Sequence, residues 1–228
     1  MNRKKSPRKI EITFDKKQTF PIEEAIKHVK QHATEKFDSS IELHAKLGID
    51  PRQTTQQIRA TVTLPHSFGK AKRILAFVTP DKAKDAKQAG ADIIAGDEQI
   101  EELKKSGKIE FDIAIAVPEM MKKLAPVAKI LGPRGLMPSP KNDTITTDIG
   151  KTVEEIRKGK ISYKNDDTSN VHASIGKKSL DDAKIIENFY EFVVSLLKNK
   201  PSSSKGIYIR SLSICSSMGP SIKVVIPK

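Results

Sequence analysis

The residues of this chain that could bind a transition metal or form a thiol–imidazole pair are five histidines and one cysteine. His28 and His32 lie four residues apart on a predicted helix, a spacing that can hold a metal ion. No third ligand is evident beside them, and an exposed helix face explains the pair equally well, so we expect no metal site. Cys215 lies in a strand-like stretch, where a free thiol behaves as a small apolar side chain. One cysteine allows no disulfide framework and no thiolate cluster, which is typical of a reducing compartment.

The sequence also lacks the usual phosphate-binding loops. The first strand predicted in the middle of the chain ends in Thr79-Pro80-Asp81-Lys82, which matches neither GxGxxG nor GxxxxGK[ST]. Gly132-Pro133-Arg134-Gly135 follows a helix, so it cannot direct a helix N-terminus at a phosphate. No serine lies in a nucleophile-elbow sequence. We therefore expect no catalysis, no cofactor and no small-molecule substrate. An enzyme using a nucleotide or another small ligand, built on the middle of the chain, is the alternative.

The charge balance is the strongest clue from composition. Lysine and arginine total 41 against 28 acidic residues, a formal net charge of +13. Such an excess favours polyanionic partners, because neutralised phosphates release their condensed counterions. Tryptophan is absent and aromatic residues make up only 5%, so we expect RNA recognition by shape and backbone rather than by stacking on several bases.

An anionic membrane is the competing partner, and the sequence gives it little support. No stretch combines a lysine-rich face with bulky aromatic anchors. The longest apolar runs, such as 111–118, are far shorter than the roughly 20 residues that span a bilayer. The basic N-terminal segment is not followed by an apolar region, so no signal peptide is predicted. We expect a cytoplasmic protein without membrane contact.

Both ends of the chain show a pattern typical of α+β structure. Pro21 opens a helix with acidic residues in its first turn, and Ser179, with Asp182 three residues on, is predicted to cap a second helix. The apolar stripe of that second helix is predicted to contain Leu180, Ala183, Ile186, Phe189 or Tyr190, Val193 and Leu197. Alternating apolar residues predict strands at 41–47, 58–64, 161–164, 171–176, 207–214 and 222–226.

The middle of the chain has a different pattern, in which continuous apolar strands alternate with helices. The strands are predicted at 73–79, 91–95 and 112–117. The helices are predicted at 81–88, 97–106 and 118–131. This order is typical of a parallel sheet covered by helices on both faces.

An inserted domain is the simplest account of the two patterns. A discontinuous α+β domain of residues 1–67 and 160–228 would carry an α/β domain of residues 68–159, through crossings near 65–68 and 158–160. The inserted domain has 17 basic and 14 acidic residues, a net charge of +3, whereas the flanking parts have 24 and 14, a net charge of +10. The charge therefore predicts that the discontinuous domain binds the polyanion.

Two loops are unusual in composition. Leu131 to Pro138 contains two glycines and two prolines around Arg134. It is either a plain rigid connector or a loop that presents Arg134 to a phosphate backbone. The turn at Ser217-Met218-Gly219-Pro220 is either an ordinary hairpin connection or a flat surface that lies against ribose and phosphate, with serine hydroxyls meeting 2′-OH groups.

Several runs of residues, in this order, closely resemble the ribosomal protein L-one family, the stalk proteins of the large ribosomal subunit. The resemblance covers nearly the whole chain, and the run from Ile130 to Pro138 is highly specific. The runs are Lys36-Phe37-Asp38, His44-Ala-Lys-Leu-Gly-Ile-Asp-Pro51, Leu64-Pro-His66, Gly90-Ala-Asp92, Ile130-Leu-Gly-Pro-Arg-Gly-Leu-Met-Pro138 and Ser217-Met-Gly-Pro220.

The resemblance implies a fold and a set of partners. The discontinuous α+β domain would hold an inserted Rossmann-like, three-layer α/β domain through a hinge at Pro65, His66 and Gly159. The protein would bind large-subunit ribosomal RNA, as a monomer within the ribosome, and form a mobile stalk that helps to release deacylated transfer RNA from the exit site. It would also bind the leader of its own messenger RNA and repress translation.

The resemblance also implies which residues contact RNA. Arg134 is a possible further residue facing RNA or transfer RNA. The positions carried over are Lys36, Phe37, Ser40, His172, Ser217, Met218, Gly219 and Pro220.

Three departures from the family pattern bear on these positions. The family usually has threonine where this chain has Ser217. Glycine commonly follows the hinge histidine, where this chain has Ser67, so the hinge is expected to be slightly stiffer. Asn165-Asp-Asp-Thr-Ser169 replaces a commoner Asn-Asp-Lys-Thr-Gly run, which leaves open a contact between Asp167 and the RNA backbone.

Overall fold

In the computed structural model, residues 14–15, 18–69 and 72–227 are described. Packing divides the chain into two units. The end unit joins the chain up to Ile58 to the chain from Tyr163 onward, and the middle unit is Arg59–Ser162. The crossings thus fall at 58/59 and 162/163, whereas the hydrophobic pattern places them near 67/68 and 159/160. Within the described ranges, no helix is both long and apolar enough to cross a membrane.

The end unit is built on a five-stranded sheet with the order β1-β10-β9-β2-β8. β1 runs parallel to β10, and the other neighbours are antiparallel. The strands are β1 (Thr19–Phe20), β2 (Ser40–Leu47), β8 (Asn170–Lys177), β9 (Ile209–Ser216) and β10 (Ile222–Val224).

Two helices cover one face of this sheet. α1 (Ile22–His32) packs against β9 and β10, and α6 (Asp182–Lys198) packs against β8 and against α1. Side chains in β2 alternate strictly between buried and half-buried, because successive residues of a strand point to opposite faces. The buried set, which includes Ile41, Leu43 and Ala45, faces the helices.

The middle unit contains a three-stranded parallel sheet with the order β5-β4-β6. Residues in β4 alternate between two cores. Leu75 and Phe77 pack on one face with residues of α3 and of the 118–131 segment, and Ile74 and Ala76 pack on the other with α2 and α5. The elements are β4 (Ile74–Phe77), α2 (Ala83–Gln88), β5 (Ile93–Ala95), α3 (Asp97–Ser106), β6 (Ile113–Ala116), α4 (Ala128–Leu131) and α5 (Ile149–Arg157). The predicted mixture of α/β and α+β structure is confirmed.

A separate two-stranded sheet pairs β3 (Arg59–Thr63) with β7 (Lys160–Lys164). Asp143 accepts a hydrogen bond from the Thr61 hydroxyl at 2.9 Å and pairs with Lys160 at 3.0 Å. Burial alone would raise the pKa of Asp143, but the hydrogen bonds from Lys160 and Thr61 outweigh it and lower the pKa. Asp143 therefore fastens the loop before α5 to β3 and to Lys160.

The single helix predicted over 118–131 is wrong. The segment forms two short 3₁₀ turns, Pro118–Lys122 and Ala125–Val127, and only then the one-turn helix α4. Pro126 lies inside the segment, where it has no N–H to donate and its ring excludes the preceding turn of an α-helix. The apolar spacing survives the break, because Met120, Leu124, Val127 and Leu131 still face one core.

The predicted cap of the second long helix is also wrong, and its predicted apolar stripe is correct at Phe189 and Val193 only. α6 begins at Asp182 with Asp181 at the N-cap, while Ser179 donates hydrogen bonds to Asp38 through its N–H at 3.0 Å and its hydroxyl at 2.9 Å. Ala183 and Leu197, both assigned to the buried stripe, are exposed. The residues that face the core are Ile185, Asn188, Phe189, Phe192, Val193, Ser195 and Leu196.

Candidate nucleic-acid interface

The face of the end-unit sheet opposite α1 and α6 is lined by polar side chains. Ser40, Glu42, His44 and Lys46 of β2 lie on this face, because their strand alternates with the buried set. The main helix contacts of this sheet are those of α1 and α6, which cover the other face. The cross-strand neighbours of these four residues, which complete the open face, are Asn170, His172, Ser174 and Lys177 of β8 and Ser211, Ser213 and Cys215 of β9.

The turn between β9 and β10 is joined to the start of β2. The Ser217 N–H donates to the Ser40 carbonyl at 3.1 Å, and the Ser40 N–H donates to the Ser217 hydroxyl at 3.2 Å. Two predicted RNA-contacting serines are therefore brought together by reciprocal hydrogen bonds. A threonine at 217, which the family usually has, would carry the same hydroxyl, so the change at this position preserves the link.

Gly219 is needed inside the turn itself. Its N–H donates to the Ser216 carbonyl at 3.0 Å, and a Cβ added at 219 would come within 2.2 Å of the Ser216 hydroxyl oxygen. Ser216 is buried, and its hydroxyl donates to Glu35 at 3.3 Å. The absence of a side chain at 219 thus lets the turn close over Ser216.

Two large apolar side chains are exposed at this edge of the sheet. Met218 at the turn is 70% exposed, and Phe37, three residues before β2, is 51% exposed. Lys36 is also exposed, and Pro220 is half-buried. Contiguous exposed apolar surface marks binding sites, and the hydrogen bonds between Ser217 and Ser40 place the turn beside the strand that the 36–37 loop leads into. The Ser217–Pro220 turn and the 36–37 loop are referred to below as the tip.

The loop that carries Phe37 is held by the neighbouring Asp38. Its carboxylate accepts both Ser179 hydrogen bonds and pairs with Lys177 at 3.5 Å. The Ser179 hydroxyl, with further help from the Ser179 N–H and Lys177, lowers the pKa of Asp38 despite its partial desolvation. The loop is therefore fixed to the region that precedes α6.

His172 lies on the same face but farther along the sheet. It is directly opposite His44. His44 is four residues from Ser40, so the two positions are about 13 Å apart along β2. His172 Nε2 is 3.5 Å from the Asp166 carboxylate, and the two Nδ1 atoms of His172 and His44 are 2.7 Å apart. Because a carboxylate only accepts, His172 donates from Nε2 and accepts at Nδ1, while His44 donates from Nδ1. Burial, and secondarily the neighbouring His172, lowers the pKa of His44.

Asp166 organises the turn that leads into β8. Its carboxylate accepts hydrogen bonds from the Thr168 N–H at 2.9 Å and the Asn170 N–H at 2.6 Å. Burial raises the pKa of Asp166, but these bonds and those from the Thr168 and Asn170 side chains lower it well below its ordinary value. Ser169 has a φ of 66°, the left-handed region that explains why glycine is commoner there. Asp167 is exposed on this turn.

The sequence does not reveal that Cys215 has a histidine partner. His44 Nε2 lies 3.1 Å from Cys215 Sγ, so the thiol donates to the ring nitrogen that Nδ1–H leaves free. Burial, with a further contribution from Glu42, raises the pKa of Cys215 to about 11. Catalytic cysteines have a lowered pKa and are thiolates at neutral pH, so this pair lacks the electrostatics of a nucleophile and its base. Alternation in β2 could have placed His44 on the open face, but only the strand pairing brings Cys215 beside it.

The remaining sequence-predicted residues lie elsewhere. Arg134 is exposed on its loop in the middle unit. The rings of His28 and His32 contact Phe14, with centroids 5.7 and 5.2 Å away, so both take part in packing beside α1.

The three predicted hinge residues lie inside the middle unit. Pro65 is exposed and His66 is half-buried. Gly159 has a φ of 107° and accepts a hydrogen bond from the Leu64 N–H at 3.3 Å. A Cβ there would meet Ser67 at 3.3 Å, so the segments 64–67 and 158–160 lie against each other within the middle unit.

The open face and the tip offer donors, small hydroxyls, imidazoles and lysines, with apolar side chains at one edge. Such a surface can hydrogen-bond to phosphates and 2′-OH groups and pack against a base or sugar.

The chain is similar to known proteins over most of its length. The model of the Ribosomal protein L1p/L10e family matches residues 29–220. A protein of Flavobacterium psychrophilum is 46% identical over 209 residues, which is 92% of this chain and 91% of that protein. A protein of Streptomyces coelicolor is 43% identical over 220 residues, which is 96% of this chain and 91% of that protein. A protein of Kosmotoga olearia is 44% identical over 223 residues, which is 97% of this chain and 96% of that protein.

Each of the three relatives is a large ribosomal subunit protein uL1. The family model covers most of the chain, including every residue of the open face and the tip. The chain belongs to the Ribosomal protein L1p/L10e family.

Proposed function

We propose that this protein is a structural constituent of the large ribosomal subunit, in cytoplasmic ribosomes, and that its end unit binds large-subunit ribosomal RNA. The proposal of RNA binding rests on one observation, the structure of the tip. Ser217 and Ser40 lock the turn onto β2, and Met218 and Phe37 stay exposed beside an uncovered polar face. Ribosomal proteins of this family are structural and not enzymes, and the thiol–imidazole pair on the face lacks the charge state of a nucleophile.

The two parts of this surface have different roles in the proposal. Lysines and hydroxyls of the open face contact phosphates and riboses, which positions the RNA without reading its sequence. The tip supplies discrimination, because Met218 and Phe37 fit only where the RNA backbone opens and exposes a base or sugar. His172 lies on the open face near the Asp166 turn, about 13 Å from the tip along β2. The RNA surface that the protein contacts therefore spans more than one nucleotide.

The discontinuous domain and its inserted α/β domain correspond in this proposal to the end and middle units. The middle unit meets transfer RNA at the exit site and helps its release, with Arg134 on its exposed loop as the contacting cation. Pro65, His66 and Gly159 form the hinge. The end unit also binds the leader of the protein's own messenger RNA and represses its translation. Family membership supports these finer roles, and exposure of Arg134 is compatible with the first.

The tip is tested by substitutions that remove the Met218 side chain or place a side chain where Gly219 has none. Met218→Ala or Gly219→Val is expected to lower affinity for a large-subunit ribosomal RNA fragment by about 1–3 kcal/mol, the range of losses for single stacking or base contacts. Binding to an unrelated RNA should change little, because it depends on charge. Affinities are measured by filter binding at fixed salt.

Val225→Ala is the matched control, since Val225 is also apolar and 52% exposed but lies beyond β10. It should bind both RNAs as the unchanged protein does. An equal loss of affinity for both RNAs in the Met218→Ala variant would mean that the tip supports the fold and does not recognise the RNA.

A further inference from the structure

We propose that Glu42, His44 and Cys215 form a binding site for Zn²⁺ on the open face of the end-unit sheet. One donor atom from each residue lies within 4.8 Å of the other two. His44 Nε2 is 3.1 Å from Cys215 Sγ and 4.0 Å from Glu42 Oε2. The inference goes beyond the proposed RNA-binding function and does not rest on it.

These distances are close to those of a zinc centre. Zinc lies about 2.0–2.2 Å from nitrogen and oxygen ligands and about 2.3 Å from sulfur in a tetrahedral arrangement. Two ligands of one tetrahedral ion are therefore roughly 3.4–3.6 Å apart. Shifts of about half an ångström in side chains would bring the two measured separations into that range.

The donor set selects the metal. Thiolate and imidazole suit zinc, whereas Mg²⁺ and Ca²⁺ require oxygen ligands. Three protein ligands leave the fourth tetrahedral position to water. Zinc binding replaces the thiol proton, so one proton is released to solvent when the Zn–S bond forms, and no redox change occurs.

The backbone holds the three ligands in register. Glu42 is directly opposite Cys215 across the β2–β9 ladder, and His44 is two residues from Glu42 on the same face. None of the three depends on a loop. A site on paired strands is more precise than a site on loops.

A second histidine on this face, His172, orients the ligand His44. His44 donates from Nδ1 to His172, and His172 donates from Nε2 to Asp166. These two hydrogen bonds fix His44 in the tautomer whose Nε2 lone pair faces Cys215. Zinc-binding histidines commonly donate their second nitrogen to such a partner. Glu42, His44 and Cys215 are each half-buried, so an ion can enter from solvent.

The test uses the full chain without a polyhistidine tag. Isothermal titration with Zn²⁺ alone should give one saturable site, and Co²⁺ should give a thiolate-to-metal charge-transfer band. Cys215→Ser, His44→Gln or Glu42→Gln should each weaken Zn²⁺ binding at least about tenfold. Ser213→Ala is the matched control, because it changes the same face without removing a ligand, and it should bind as the unchanged protein does.

A second measurement needs no variant. The chain has one cysteine, so alkylation by iodoacetamide reports on Cys215 alone. Zn²⁺ should slow this reaction at concentrations that match the titration, and Mg²⁺ should not. Equal zinc binding by the Cys215→Ser variant and the unchanged protein, or alkylation insensitive to Zn²⁺, would overturn the proposal.

Discussion

At the scale of single residues, Asp38 couples the tip to the rest of the end unit. Its pKa is lowered in the folded protein, first by the Ser179 hydroxyl. A carboxylate with a lowered pKa stabilises the folded protein at pH values above its ordinary pKa of 3.8. This contribution is lost as the pH falls through the lower pKa of the folded state. Asp38→Asn should therefore reduce the unfolding free energy most near neutral pH. The difference from the unchanged protein should shrink below about pH 4.

Urea unfolding at a series of pH values measures this difference. Asp97→Asn is the control, because Asp97 forms an exposed ion pair with Lys123 at 2.7 Å, and such pairs contribute little. A difference between Asp38→Asn and the unchanged protein that stays constant from pH 7 to pH 3 would contradict the assignment.

Ser179 shows what limits prediction at this scale. The sequence offers a serine three residues before an acid at the start of an apolar pattern, which is a capping signature. In the fold, the hydroxyl instead donates to Asp38, which is 141 residues away in the chain. A local rule cannot anticipate a partner that only the tertiary structure brings near.

At the scale of elements, the register of α6 is the feature most open to test. Leu196 is fully buried and Leu197 is 48% exposed. Leu196→Ala should lower the unfolding free energy by about 2–5 kcal/mol, because it leaves a cavity. Leu197→Ala should cost less than about 1 kcal/mol. Equal losses in thermal or urea unfolding would mean that the helix is rotated toward the stripe predicted from sequence.

The sequence pattern predicts Phe189 and Val193 of the α6 stripe correctly but also includes the exposed Leu197, because most residues in the second half of the helix are apolar. Spacing alone then allows two stripes, and packing against β8 and α1 selects one. The middle strands were predicted well, because continuous apolar runs between helices have one interpretation in a parallel sheet. α5, which packs Ile149, Val153 and Ile156 into the middle unit, was not predicted.

The candidate site was predictable only in part. The resemblance to a family supplied the tip residues, and the structure adds that Ser40 and Ser217 hold each other. Alternation in β2 placed His44 and Glu42 on one face. Their neighbours Cys215 and His172 lie more than 120 residues away in the chain, and strand pairing over that separation has no local signature.

At the scale of the whole molecule, the hinge proposal concerns motion between the units. Two segments near the unit boundaries, 64–66 and 158–160, contain Pro65 and Gly159. Paired segments of this kind are expected to resist twisting and to allow bending about one axis. Dyes on Lys105→Cys and Lys200→Cys, introduced with Cys215→Ser, should report a broad or bimodal distance distribution in the free protein. A single narrow distance that is unchanged on the ribosome would contradict a hinge.

The end unit is proposed to bind large-subunit ribosomal RNA through its tip and open face. The most direct measurement is RNA cleavage by hydroxyl radicals from iron tethered to Lys223→Cys, an exposed position on β10 near the tip, in full-length protein carrying Cys215→Ser. Lys105→Cys, on α3 of the middle unit, is the matched control. We expect strong cleavage at one cluster of nucleotides from position 223 and weaker or no cleavage there from position 105. Diffuse cleavage from position 223, or stronger cleavage of that cluster from position 105, would contradict it.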